Sequence, residues 1–150
     1  MAKAEKLQPK NALYFYQHGL ALARQAVKGP TSWADAKGPL EQAIQLDPNV
    51  GDGKNYGAAH FELAEVHLHL DDEKGALDEY TKAIQAKPDE LAFYGPLAEL
   101  YLRLNYVNEA EQVLTTGLSF AKEGDKALFA IHSLLGDIYD RKGDEGKAVS

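Results

Sequence analysis

When the chain is shifted by 34 positions, Leu63-Ala64 falls on Leu97-Ala98, His67 on Tyr101 and Ala76 on Ala110. No other feature constrains the fold as strongly, because a period of this length marks one supersecondary unit copied along the chain. A further shift of 38 puts Leu135-Gly136 on Leu97-Ala98, Tyr139 on Tyr101 and Ala148 on Ala110. Small residues meet small ones throughout. Leu63/His67 and Leu97/Tyr101 are spaced i, i+4, so each pair shares one helix face. Ala64 and Ala98 sit beside them, where a short side chain lets a second helix approach. Ala76, Tyr80 and Ala83 repeat the logic at i, i+4 and i+7 in the following segment. Between the helices Asp71, Asn105 and Gly143 share one phase, and these residue types tolerate the left-handed turn that a tight helix pair needs. Asp72 and Asp144 follow as N-caps of the second helices, and Lys87-Pro88-Asp89-Glu90 closes one repeat and opens the next.

This helix-turn-helix of 34 residues resembles the tetratricopeptide repeat family. Residues 57–90 supply Leu63, Ala64, His67, Ala76, Tyr80, Ala83 and Pro88, with only His67 departing from the family's tyrosine. Residues 91–124 supply Leu97, Ala98, Tyr101 and Ala110, while Leu114, Gly117 and Lys122 match more weakly. The stretch 126–150 supplies Leu135, Gly136, Tyr139 and Ala148 as an incomplete copy. A distorted first copy, about 11–50, has Gly19 and Leu22 in its first helix and Ala36, Leu40, Ala43 and Pro48 in its second. Lys28-Gly29-Pro30-Thr31-Ser32 enlarges its inner loop, and Val50 to Asn55 is a second insertion. The expected fold is therefore all-α: a right-handed superhelical solenoid of three full repeats and a partial fourth, forming a single domain over 11–150 after an N-terminal tail, 1–10. The Gly38-Pro39 and Gly95-Pro96 steps lead us to expect helices that start late, at Pro39 and Pro96. The abrupt end at Ser150 suggests a chain cut from a longer protein, or an open end that self-associates.

Several kinds of chemistry find no support in the residues. The chain has no cysteine, which removes disulfides, thiolate metal sites and cysteine nucleophiles. Its formal charge of −7 disfavours nucleic acid. Apolar runs are too short to span a bilayer, and Met1 to Lys10 lacks the apolar core of a secretory signal, so a soluble cytoplasmic protein is expected. His67 and His69 are two apart and face different ways, so a packed His67 explains the pair better than a metal site. The Asp47 to Gly53 loop has Asp52 where a calcium loop needs its glycine and Ala58 where it needs its glutamate. The glycine-rich stretch 51–57 follows a helix and lacks dinucleotide spacing. Nucleophile and P-loop motifs do not occur, so no enzyme, no cofactor and no metal is expected.

The resemblance implies a concave groove lined by the first helix of each repeat. Mapped onto this sequence, the groove positions are Tyr16, Gln17, Leu20 and Arg24, then Phe61, Glu62, Glu65, Leu68 and His69. The third copy adds Glu99, Leu102 and Arg103, and the fourth adds Ser133, Asp137, Asp140 and Arg141. Glu62, Glu65, Glu99, Asp137 and Asp140 would form an acidic stripe, with Tyr16, Leu20, Phe61 and Leu68 as an apolar patch. The expected partner is a protein or peptide with apolar anchors and basic residues, Phe61 being the foremost anchor. The family's subgroup that grips a terminal carboxylate needs cationic and amide side chains where this chain has Tyr16, Leu20, Glu62, Ala92 and Pro96, so that function is rejected. Self-association through the open C-terminal end, or a small chaperone for secreted proteins, are the alternatives.

Overall fold

Helix-forming residues and Pro- or Gly-marked stops give seven helices among the described residues of the computed structural model. It describes residues 2–29, 32–51 and 56–149, with side chains over 11–29, 32–51 and 56–143. Pro30 and Thr31 of the enlarged loop lie outside the described residues, as do Asp52 to Asn55 of the calcium-like and glycine-rich stretches. The elements are α1 (Ala2–Lys28), α2 (Trp33–Leu46), α3 (Ala58–His69), α4 (Glu73–Ala86), a 3₁₀ turn (Leu91–Phe93), α5 (Tyr94–Arg103), α6 (Val107–Ser119) and α7 (Ala127–Val149). Among the described residues there is no strand. α1 begins within the stretch read as a tail, because Ala2, Lys3, Ala4, Glu5 and Lys6 are strong helix formers. The chain divides into two compact units, Met1–Lys87 and Pro88–Ser150.

The turns carry the repeat. Asp71 and Asn105 adopt left-handed backbones, with φ of 61° and 69°. In both turns the next amide reaches back five residues: Asp72 N–H donates to the His67 carbonyl and Tyr106 N–H to the Tyr101 carbonyl, each at 2.8 Å. These are Schellman closures, which satisfy carbonyls that the helix end leaves open. Asp72 then caps α4 by accepting from the Gly75 amide at 2.9 Å. His67 is buried, and its Nδ1 lies 2.9 Å from Asp72 Oδ2, close enough for an ion contact but off the axis of a hydrogen bond.

Two expectations fail. The turn expected at Gly143, with Asp144 as cap, is absent: α7 runs through both positions to Val149. Just before that point Lys142 bonds to Glu111 of α6 and holds α7 against its neighbour as a helix. The six helical residues beyond Gly143 include only Ala148 and Val149 as apolar side chains, so folding back would forfeit ladder hydrogen bonds for little burial. Nor does α2 wait for Pro39. It starts at Trp33, where Ser32 Oγ accepts from the Ala34 amide at 3.1 Å, and runs through the proline. Gly38 has no Cβ to clash with the following ring, and fully buried Ala36, Leu40 and Ala43 anchor the helix on both sides. Pro96 does lie in the first turn of α5, where its missing N–H is harmless.

In unit 1, α1 packs on α2, α3 on α4, and α2 on α3. The core comprises Tyr16, Leu40, Val50, Leu63 and Val66 with a set of buried alanines. α1 and α2 approach closely at Gly19, where a Cβ would stand 2.6 Å from Leu40 Cγ. In unit 2, Leu91, Phe93, Tyr94, Leu97, Leu114, Ile131 and Ile138 are buried. There Gly117 replaces the repeat's expected larger residue because Tyr94 fills the space: an added Cβ would lie 2.9 Å from the ring. The Tyr94 hydroxyl donates to the Pro88 carbonyl at 2.6 Å.

Candidate functional site

The last three turns of α1 present Tyr16, Leu20, Ala23, Arg24 and Val27 at helical spacing, and α3 presents Glu62, Glu65 and His69 at i, i+3 and i+7. The two faces enclose a pair of adjoining cavities in unit 1. The larger, about 670 Å³, is lined by Leu13, Tyr16, Gln17, Leu20, Arg24, Gly51 and Glu62. The smaller, about 260 Å³, shares Leu20, Arg24 and Glu62 and adds Ala23, Val27, Trp33, Glu65 and His69. Its end is an aromatic stack, with the Trp33 and His69 rings 3.8 Å apart and nearly parallel at 3°.

The electrostatics of the cleft are poorly balanced. Burial raises the Glu62 pKa above the usual carboxylate value, the Glu65 charge raises it further, and Arg24 opposes both. Glu65 is fixed by the Tyr80 hydroxyl, which donates to Oε1 at 2.7 Å. Among the described residues, no hydrogen bond or ion pair reaches the Glu62 carboxylate. A second charged cluster lies between α3 and α4, where His60 Nδ1 and Glu79 Oε2 are 2.6 Å apart and Lys82 pairs with Asp78 and Glu79.

Of the residues expected at a groove, Tyr16, Leu20, Glu62 and Glu65 are brought to these cavities, as are Gln17, Arg24 and His69. Phe61 lines neither cavity. It is half-buried against Tyr80, with ring centroids 5.7 Å apart, and Leu68 is likewise half-buried outside both linings. In unit 2, Glu99, Arg103 and Asp137 are exposed, as are Ser133, Asp140 and Arg141, whereas Leu102 is buried. Sequence reasoning missed Trp33, Val27 and Leu13. The signal for Trp33 was its place directly after Ser32, a strong N-cap that makes it the first helical residue of α2.

Among the described residues no cluster of three or more metal-ligating side chains occurs, and no helix is long and apolar enough to cross a membrane. The described lining residues offer apolar side chains and Arg24 along α1 and two carboxylates on α3.

A family profile described as tetratricopeptide repeat matches residues 72–138. That stretch spans the Schellman turn at Asn105 and both small-residue positions, Ala76 and Ala110. Over that stretch the chain is similar to the tetratricopeptide repeat family. Its fold class is the all-α helical-repeat solenoid. Among solved structures it is similar to the Yersinia enterocolitica type III secretion chaperone SycD in complex with a peptide of the translocator YopD, with TM-score 0.71 and 17% identity over 86% of this chain and 92% of that one. It is similar to the first repeat domain of Spaghetti (RPAP3) bound to the HSP90 peptide SRMEEVD, with TM-score 0.66 and 14% identity over 87% and 97% of the two chains. MamA gives TM-score 0.70 and 20% identity over 99% of this chain and 78% of that one. No curated protein matches the sequence. At these identities the likeness to the tetratricopeptide repeat structures speaks for fold alone.

Proposed function

We propose that this chain is a cytoplasmic recognition module that binds a peptide segment of a partner protein in the α1/α3 cleft of unit 1 and catalyses no reaction. The observation that carries this reading is the pair of adjoining cavities, where Leu20, Ala23 and Val27 stand with Gln17 and Arg24 along α1 and face Glu62 and Glu65 of α3. SycD and RPAP3 are each solved with a bound peptide, which supports a peptide as the ligand class. An acidic tail such as that of the HSP90 peptide would meet Glu62 rather than a cation, so the favoured ligand carries apolar and basic side chains. A chaperone that shelters a secreted protein would use the same cleft.

The test is selection of a random-peptide phage library on the immobilised full chain, followed by rebinding to Leu20→Gln/Glu65→Lys. The variant's fold is checked by circular dichroism. Enriched peptides with apolar and basic residues that lose binding to the variant support the cleft. Peptides that bind both proteins equally place recognition elsewhere and refute it.

One observation favours a second reading. Phe129 and Tyr139 are 83% and 56% exposed, and with Gly136 they share one face of α7 at i, i+7 and i+10. That face suits self-association, which light scattering after size exclusion detects as a dimer that Phe129→Ser dissolves.

A further inference from the structure

We propose that the smaller cavity, about 260 Å³, is a socket for one basic side chain of the bound peptide, whose apolar stem lies along α1 and whose cation meets Glu62 and Glu65. As a peptide subsite it rests on the cleft reading above.

Shape and charge point the same way. Leu20, Ala23 and Val27 form an apolar strip on α1, running from buried Ala23 through half-buried Leu20 to Val27, which is 69% exposed. A lysine or arginine stem is the length of methylene chain that lies along such a strip while its head stays polar. Where the strip meets α3, Glu62 and Glu65 stand one turn apart on the same face. Among the described residues lining the cavity their formal charges outnumber that of Arg24, and the carboxyl of Glu62 is destabilised by burial and by its neighbour, so an added cation relieves an existing cost. The stacked Trp33 and His69 rings close the end and offer an aromatic surface that favours a cation over an anion. Val27 and His69 also occupy the last turns of α1 and α3, where helix carbonyls contribute partial negative charge. The N-terminus of α2 opposes this, but Ser32 already caps it.

The alternative occupant is an anion held by Arg24. It would be brought beside two carboxylates, one of them held at the end of the Tyr80 hydrogen bond.

Trp33 is the chain's only tryptophan, so its fluorescence reports on this cavity. The experiment titrates the full chain with Nα-acetyl-arginine amide and Nα-acetyl-lysine amide. Nα-acetyl-citrulline amide serves as a neutral isostere and Nα-acetyl-glutamate amide as an anion. The two cations should change Trp33 emission saturably, with Kd on the order of 1 mM for ligands of this size. Glu62→Gln/Glu65→Gln keeps shape and the Tyr80 acceptor and should weaken them about tenfold. Arg24→Gln removes the competing internal cation and should tighten them about threefold, a gain that a misfolded variant does not produce. Citrulline binding as well as arginine, saturation by the glutamate amide, weaker binding by Arg24→Gln, or no saturable change with any probe would each overturn the socket. Phage peptides that need the cleft but carry no lysine or arginine also overturn it while leaving the cleft reading intact. If the arginine amide saturates the site and no peptide is selected, the socket stands and the peptide reading falls.

Discussion

Replacing Gly19 with alanine tests how tightly α1 and α2 are joined beneath the cleft. The new Cβ would lie 2.6 Å from Leu40 Cγ, 2.8 Å from Cδ2 and 3.3 Å from the Leu40 amide nitrogen. Carbon atoms pack best at about 3.5–4.0 Å, so roughly 1 Å must be opened between the helices or within the leucine. Leu40 cannot swing clear: it is fully buried, with Ala36 and Ala43 equally buried on the same face of α2. Overpacking of this kind costs about 1–3 kcal/mol, offset by about 1 kcal/mol because alanine favours a helix over glycine. The expected net loss is about 0–2 kcal/mol. Leu40→Ala alone should cost about 2–5 kcal/mol through its cavity. In the double variant the alanine methyl at 19 occupies space the leucine vacated, so the losses should fall short of additive by at least about 1 kcal/mol.

Urea unfolding followed by Trp33 emission is the suitable assay, because Trp33 belongs to unit 1 and reports that unit without assuming that both units unfold together. A raised midpoint for Gly19→Ala, or additivity within about 0.5 kcal/mol in the double variant, would refute the close approach of α1 and α2.

Two pH effects of opposite sign accompany it. The Asp72 pKa is lowered chiefly by the Gly75 amide, with help from His67, so its contribution is present above the unfolded value near 3.9 and is lost as pH falls through the folded value. Calorimetry should therefore show Asp72→Ala melting below the parent at neutral pH, with the gap closing in acid; a gap that widens in acid would contradict the cap. The Glu62 pKa is raised, chiefly by burial, so the folded state binds more protons and stability falls as pH rises through the unfolded value near 4.3. Glu62→Gln should melt above the parent at pH 7 and match it in strong acid; a lower melting point at pH 7 would show that Glu62 is well paired.

What could be read from the residues was local or strictly periodic. Asp71 and Asn105 announce left-handed turns because tolerance of positive φ belongs to the residue itself, and the backbone there confirms it. The tetratricopeptide resemblance, which maps first-helix positions to a groove, groups Leu20, Arg24, Glu62, Glu65 and His69, and the fold brings these five to the smaller cavity. What failed depends on the neighbour. Gly143 has the right residue type, but a turn closes only when the returning helix has a face to bury, and there the Lys142–Glu111 contact favours a straight helix. Pro39 breaks helices as a rule, yet burial of Ala36, Leu40 and Ala43 outweighs one missing bond. The resemblance maps Phe61 to the groove as an anchor, and in the fold its ring lies against Tyr80, a contact that register on α3 alone does not reveal. Trp33 reaches the cleft because α2 begins six residues before Pro39, and periodicity in the later repeats has no bearing on that.

The placement of Glu62 bears on why the cleft has its particular chemistry. Stability alone would favour a neutral side chain or a second cation at this position, since one guanidinium does not compensate two carboxylates in a partly buried site. Elsewhere the same chain resolves its charges locally: Asp72 caps α4, Lys37 pairs with Glu41, and Lys82 pairs with Asp78 and Glu79. Departures from local consistency in a folded chain tend to concentrate where something binds. Here that departure coincides with an exposed valine, an aromatic stack and two adjoining cavities on the same pair of helices. A missing cation supplied by a partner would satisfy the carboxylate and cover the valine in one step, whereas an apolar ligand would bury Glu62 further and raise its cost.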